Sequence, residues 1–191
     1  MGGGYLTQPA VFLVQVLFGL YATLVVLRFL LQLTRADFYN PLSQFIVKAT
    51  RPLLNPLRRV IPGVSGIDLA SLVLAWLVIT IEQLAILGLA GAGFQPAAAA
   101  LLAIPEMISL IINIFLVAIL IQVIMSWVNP GGYNPAIKLI HGLTEPLLAP
   151  ARRRMPDMGG LDLSPMIVMI GLVVLEMLLV PPIKELISRM I

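Results

Sequence analysis

Two glutamates within apolar parts of the sequence, Glu82 and Glu176, are the residues best suited to chemistry, and they lie 94 positions apart. Each follows an aspartate, Asp68 or Asp162, by 14 residues, which is about 21 Å along a helix. A carboxyl at that depth in a membrane is unfavourable unless it is neutral or faces a polar interior. The pair indicates either a cation or proton site, or hydrogen bonding between helices by protonated carboxyls.

Other residues extend or limit this chemistry. Asn113 is predicted at a similar depth and Gln15 nearer the outer surface, so the four side chains could form a polar layer. Arg28 is expected to snorkel towards the headgroups. The sequence has no cysteine, no P-loop, GxSxG, HExxH or GxGxxG pattern, and a single His141 without partners for a triad. We therefore expect no catalytic residue, metal site or cofactor, and no enzyme.

Four apolar runs must position these residues. The 191-residue chain is 60% hydrophobic and 11% charged, with a mean hydropathy of +1.03, so it has more apolar surface than a soluble core could bury. A membrane span needs about 20 helical residues. The sequence predicts an integral membrane protein with transmembrane helices at about 10–33, 69–90, 104–128 and 163–180.

A repeated stretch connects these runs in pairs. YNPLSQFIVKATRPLLNPLRRVIPGVSGIDL recurs 94 residues later as YNPAIKLIHGLTEPLLAPARRRMPDMGGLDL, and residues 39–72 match 133–166 at 15 of 34 positions. The identities include Tyr39/Tyr133, Pro62/Pro156 and Gly66/Gly160. We infer a duplication with repeats at 1–94 and 95–191. Since each repeat has two spans, the copies are parallel, and we expect a pseudo-twofold axis along the membrane normal.

Each copy begins with signals for a short helix. Asn40 and Asn134 are favourable N-caps, each followed by a proline suited to the first helical position. Amphipathic helices are predicted at about 41–51 and 135–145, lying in the membrane interface and ending before Pro52 or Pro146. Their polar sides carry Gln44, Lys48, Thr50 and Arg51, or Lys138, His141, Thr144 and Glu145. The predicted fold is all-α, with four transmembrane helices in two parallel tandem repeats, each with an amphipathic interfacial helix between its spans.

Charge indicates the orientation. Nine of the twelve Lys and Arg residues fall in the two repeated connections, which the positive-inside rule places in the cytoplasm, with both termini in the periplasm. Asp68 and Asp162 are predicted to cap the helices that follow. The arginines should lie at phosphate level, where they anchor the chain or bind anionic lipid or a partner. This belt comprises Arg51, Arg58, Arg59, Arg152, Arg153 and Arg154; without an aromatic platform it does not indicate nucleic-acid binding.

The segment DFYNPLSQFIVKATRPLLNPLRRVIP and the second copy ending LLAPARRRMPDMGGLDLSPM closely resemble the YggT/YlmG family, over about residues 13–179. The two-copy form is similar to the proteobacterial type, so the resemblance implies the bacterial inner membrane. Members have been linked to osmotic or potassium-related stress tolerance, to division or nucleoid organisation, and to haem attachment on a plastid cytochrome. The resemblance implies no catalytic residues.

Two functions remain open from the sequence. One is a role in ion or osmotic homeostasis, with Glu82, Glu176 and Asn113 lining a cation path that would require a homo-oligomer, because four helices enclose little space. The other is a scaffold or assembly factor for division, envelope or cytochrome biogenesis, which recruits a membrane-protein partner or anionic lipid through its arginines. The duplicated glutamates and the stress link narrowly favour the first.

Overall fold

The computed structural model describes residues 5–64, 66–128, 134–155 and 162–190, so Tyr133, Pro156 and Gly160 of the second copy lie outside the described residues. Within these ranges the chain forms six helices and no strand. Four of them are long and apolar enough to cross a membrane. The all-α fold with four transmembrane helices is therefore confirmed. In chain order the helices are α1 (Thr7–Leu33), α2 (Pro41–Val60), α3 (Leu69–Leu89), α4 (Pro96–Val128), α5 (Pro135–Arg152) and α6 (Ser164–Ser188), of which α1, α3, α4 and α6 are the spanning helices.

The third spanning helix begins earlier than predicted. α4 starts at Pro96 rather than near residue 104, since proline suits the first helical position. The connection from α3 is therefore short, and Gly91 and Gly93 turn it with φ angles of 80° and 78°, which glycine adopts without a steric penalty. α6 likewise continues beyond the predicted end, through Pro181 and Pro182.

Pro105 lies inside α4 and removes one backbone donor, so the carbonyl of Leu101 loses its usual helical partner. The indole nitrogen of Trp76 on α3 donates to the neighbouring carbonyl of Ala100 at 2.9 Å. Donors from adjacent helices are a recognised way to stabilise a proline-containing spanning helix. This contact ties α3 to the first part of α4.

The spanning helices pack as a row, α1 on α3, α3 on α4 and α4 on α6. A twofold axis would bring α6 against α1 as α3 lies against α4, yet within the described ranges no Cα atoms of α6 and α1 approach within 8 Å. The predicted twofold relation therefore does not extend to the packing between the two repeats. Ala99 and Ala103, both fully buried, allow the close approach of α3 and α4, whereas their counterparts are Tyr5, just before α1, and Pro9 in α1, both exposed.

Candidate functional site

Helices α2 and α5, which we name the interfacial layer, are longer than the sequence predicted. α2 reaches Val60 through Pro52 and Pro56, and α5 reaches Arg152 through two equivalent prolines. Each proline leaves one carbonyl without its helical donor. Pro52 and Pro56 are exposed, so water can bond to carbonyls on that side, and the helix continues.

The layer is amphipathic, but a residue predicted on the polar side of α2 is buried. Leu42, Phe45 and Leu53 on the apolar side of α2 are exposed, where they can contact lipid. Thr50, expected on the polar side, is fully buried together with Leu54. The buried side of α2 therefore includes Thr50, because a polar group from α1 meets it.

That polar group is Arg28, which does not snorkel as predicted but is 6% exposed. Its Nη1 donates to the Thr50 hydroxyl at 2.7 Å and to the Val47 carbonyl at 3.0 Å. The Thr50 hydroxyl donates in turn to the carbonyl of Ile46. α2 packs against α1 and supplies hydrogen-bond acceptors to the guanidinium. Arg28 therefore holds α2 against this spanning helix.

The second repeat makes the equivalent contact with different chemistry. Gln122, the counterpart of Arg28, accepts a hydrogen bond from Thr144, the counterpart of Thr50. Its amide nitrogen also lies 3.4 Å from Nε2 of His141. The 94-residue offset pairs Arg28 with Gln122 and Thr50 with Thr144. This pairing was the sequence signal from which the docking contact could have been predicted.

The cap residues make different contacts at their helices. Asn40 and Asn134 accept from the backbone N–H of Leu42 and Ala136, at 2.9 and 2.8 Å. Asp162 accepts from the N–H of Ser164. Asp68 instead accepts from the Ser71 hydroxyl, without a bond to a backbone N–H at the start of α3.

Both aspartates also pair with an arginine. Asp68 bonds to Arg58 at 2.5 Å and Asp162 to Arg152 at 3.0 Å, but the Asp68 side chain is 5% exposed and that of Asp162 42%. Burial alone would raise the pKa of the Asp68 carboxyl, but the bonds from Arg58 and Ser71 outweigh it and lower the pKa below its usual value. Both repeats contain the same aspartate–arginine pair. The aspartate is buried in the first repeat and exposed in the second, because α3 lies inside the row of spanning helices and α6 at its end.

Contacts between the repeats join the two halves of the layer. The side-chain amide of the buried Asn40 donates to the carbonyl of Pro135 at 2.5 Å, and Lys138 pairs with Asp37 at 3.4 Å. Buried leucine and isoleucine side chains from α1, α2 and α5 pack together next to these bonds: Leu31, Ile46 and Leu139. α2 and α5 therefore form one connected surface.

Replacing Asn40 by alanine should lower the free energy of unfolding by about 2 kcal/mol, because it removes a cap and the bond between repeats. Asn134→Ala is the matched control and should cost about 1 kcal/mol, since it removes only a cap. The measurement is SDS unfolding of the detergent-solubilised protein, followed by tryptophan fluorescence. Equal losses in the two variants would mean that the bond to Pro135 contributes nothing.

The intramembrane residues are not gathered into one site. Glu82 lies on α3 and Glu176 on α6, and in the described part of the chain these helices do not approach within 8 Å. Gln15 is exposed on α1. Asn113 lines a cleft of about 530 Å³ between α1, α4 and the layer, whose other lining side chains are almost all apolar. The cleft lining includes neither glutamate.

A charged pair that the sequence analysis missed joins α4 to α6. Glu106 on α4 bonds to Lys184 on α6 at 2.7 Å and is within electrostatic range of Glu82. Neither Glu106 nor Lys184 has a charged counterpart in the first repeat, where Phe12 and Ala90 stand. The sequence showed only that α4 and α6 each contain a charged residue. Because neither residue has a charged counterpart, the duplication could not identify the pair.

The outward side of the layer carries several exposed cations. Arg58 and Arg152 are held by aspartates. For the other belt arginines, the described residues place no carboxylate within 4 Å: these are Arg51, Arg59, Arg153 and Arg154. They are exposed, so an external anion can reach them.

Both repeats of this chain match the model of a known protein family. The CCB3/YggT family model matches residues 7–89 and 101–183, one match in each repeat. An uncharacterised protein of Pseudomonas aeruginosa is 51% identical over 92% of this chain and 90% of its own length. YggT of Escherichia coli K12, also uncharacterised, is 42% identical over 87% and 86%. No solved structure matches. The chain therefore belongs to the CCB3/YggT family of multi-pass membrane proteins.

Proposed function

We propose that this chain is a non-enzymatic scaffold or assembly factor of the bacterial inner membrane, which presents the interfacial layer as a docking surface. One observation supports this most directly. Each repeat docks its amphipathic helix through an equivalent polar contact, Arg28 to Thr50 and Gln122 to Thr144, and Asn40 joins the two helices. A scaffold needs such a fixed surface, whereas anchoring alone would not require the helices to be joined.

The charge distribution supports a cytoplasmic position for this surface, with both termini in the periplasm. The two connections that contain α2 and α5 carry nine of the twelve Lys and Arg residues, and such residues are retained on the cytoplasmic side during insertion. Exposed arginines at that level suit an acidic partner surface or anionic headgroups.

Complementation in a host that lacks its own family member tests the proposal under osmotic stress. A variant that replaces the four belt arginines not paired with an aspartate, Arg51→Gln/Arg59→Gln/Arg153→Gln/Arg154→Gln, should lose function. Glu82→Gln/Glu176→Gln should retain it. Orientation must be mapped in both, because removal of loop arginines can invert insertion. Full function of a correctly oriented arginine variant would overturn the scaffold.

A second candidate, cation transport in osmotic homeostasis, is favoured by the charged pair between α4 and α6. Glu106 and Lys184 bring α4 and α6 together beside Glu82, and intramembrane ionisable groups are functional candidates by default. Cation flux into proteoliposomes under an imposed potential should then be lost in Glu82→Gln/Glu176→Gln. No flux from folded wild-type protein would reject this candidate.

A further inference from the structure

One side of α2 carries three exposed cations in a line. Lys48, Arg51 and Arg59 are joined by Asn55 at spacings of three and four residues, which places all four on one helix face. Among the described residues, no carboxylate lies within 4 Å of any of the three cations. Within the described residues, this cation face is therefore not paired with a carboxylate.

The second repeat lacks the same face. The counterparts of Lys48, Arg51, Asn55 and Arg59 are Gly142, Glu145, Ala149 and Arg153. Glu145 also pairs with Arg152 at 3.1 Å. One cation just after α5 thus stands where α2 has three, although the two helices are docked at equivalent positions.

The surface of the cation face is concave in two places. Two adjoining depressions of about 470 and 400 Å³ lie along it, and both are lined by Lys48 and Arg51. Phe38 and Val47 contribute to the first, and Asn55 and Arg59 to the second. Each depression therefore offers at least two cationic donors to one anion, together with neighbouring carbon surface.

We propose that the cation face of α2 binds the phosphate of an anionic phospholipid, and that α5 has no equivalent site. The inference rests on the proposed function, which places the layer at the inner leaflet. Phe38 and Val47 line one depression and Pro52 and Pro56 the other, so a ligand meets carbon surface beside the cations. Guanidinium groups bind phosphate oxygens in a bidentate manner, and an amphipathic anion satisfies both parts of this surface.

Titration of fluorescent phosphatidylglycerol into the detergent-solubilised full chain tests the site, with phosphatidylcholine of the same acyl chains as reference. Wild type should prefer phosphatidylglycerol. Each of Lys48→Gln, Arg51→Gln and Arg59→Gln should weaken its binding about fivefold, and the triple variant about 100-fold. The matched control Lys138→Gln/Arg153→Gln/Arg154→Gln removes the same charge from the second repeat and should change binding less than about twofold. The single variants still test the site if the triple variant does not fold.

Three results would overturn the proposal. These are no preference in wild type, equal weakening in both triple variants, and binding of glycerol 3-phosphate with an affinity equal to that of phosphatidylglycerol. The last would assign the site to a soluble phosphate. The titration needs neither a partner nor a cellular orientation. Lipid binding by wild type together with full complementation by the four-arginine variant would therefore remove the scaffold and keep the site, and the opposite pattern would do the reverse.

Discussion

Asp68→Ala is expected to lower the free energy of unfolding by about 2–3 kcal/mol, and Asp162→Ala by less than about 1 kcal/mol. Both substitutions break an aspartate–arginine pair. The Asp68 carboxylate is buried and also accepts from the buried Ser71 hydroxyl, so its loss removes charge-assisted bonds. Asp162 pairs at the surface, where such pairs contribute little. SDS unfolding of the two variants measures the difference.

Acid should remove the contribution of Asp68. Its folded-state pKa is lowered, so the stabilisation is fully present above the ordinary aspartate pKa of about 4. It is lost as the pH falls through the lower folded-state value. The stability gap between wild type and Asp68→Ala should therefore be constant near neutral pH and narrow below about pH 4. A gap that widened in acid would contradict the lowered pKa.

Arg28→Ala is expected to cost about 2–3 kcal/mol and to release α2 from α1. The substitution removes two bonds from a charged donor and the packing of a buried aliphatic stem. Part of this loss is offset, because the substitution also removes the cost of burying a charged guanidinium away from water. Since the chain has no cysteine, Ser43→Cys on the buried side of α2 can report release through its rate of maleimide labelling.

Arg28→Gln is the informative control. Gln122 occupies the equivalent position and bonds to Thr144, so glutamine at position 28 should retain the contact with Thr50. We expect a loss of about 1 kcal/mol and slow labelling of Ser43→Cys. A loss as large as that of Arg28→Ala would show that the first repeat needs the charge itself.

These paired experiments are possible because the duplication was visible in the sequence. The four apolar runs and the 94-residue offset predicted the spanning helices, the positions of α2 and α5, and the family. Asn-Pro dipeptides predicted where the amphipathic helices begin. Such features depend on local propensity and on the length needed to cross a bilayer, so they can be inferred without knowledge of packing.

The candidate sites were less predictable. Glu82 and Glu176 share a depth in the repeat, but depth does not determine which helices touch, and α3 and α6 do not approach each other in the described part of the chain. The end of α2 was misjudged because proline disfavours helix only locally, and exposed carbonyls can be satisfied by water. The pair of Glu106 and Lys184 depends on contact between α4 and α6, for which the repeat carries no signal.

The sequence by itself determined a membrane protein of two tandem units, since hydrophobicity and repetition are properties of the chain alone. Tertiary structure decided how the units differ. The row of helices places α3 inside and α6 at the end, so Asp68 is buried and Asp162 exposed. It also turns Arg28 inwards to dock α2. Burial and partner choice arise from packing between segments distant in sequence, so equal residues in equal repeats acquire unequal roles.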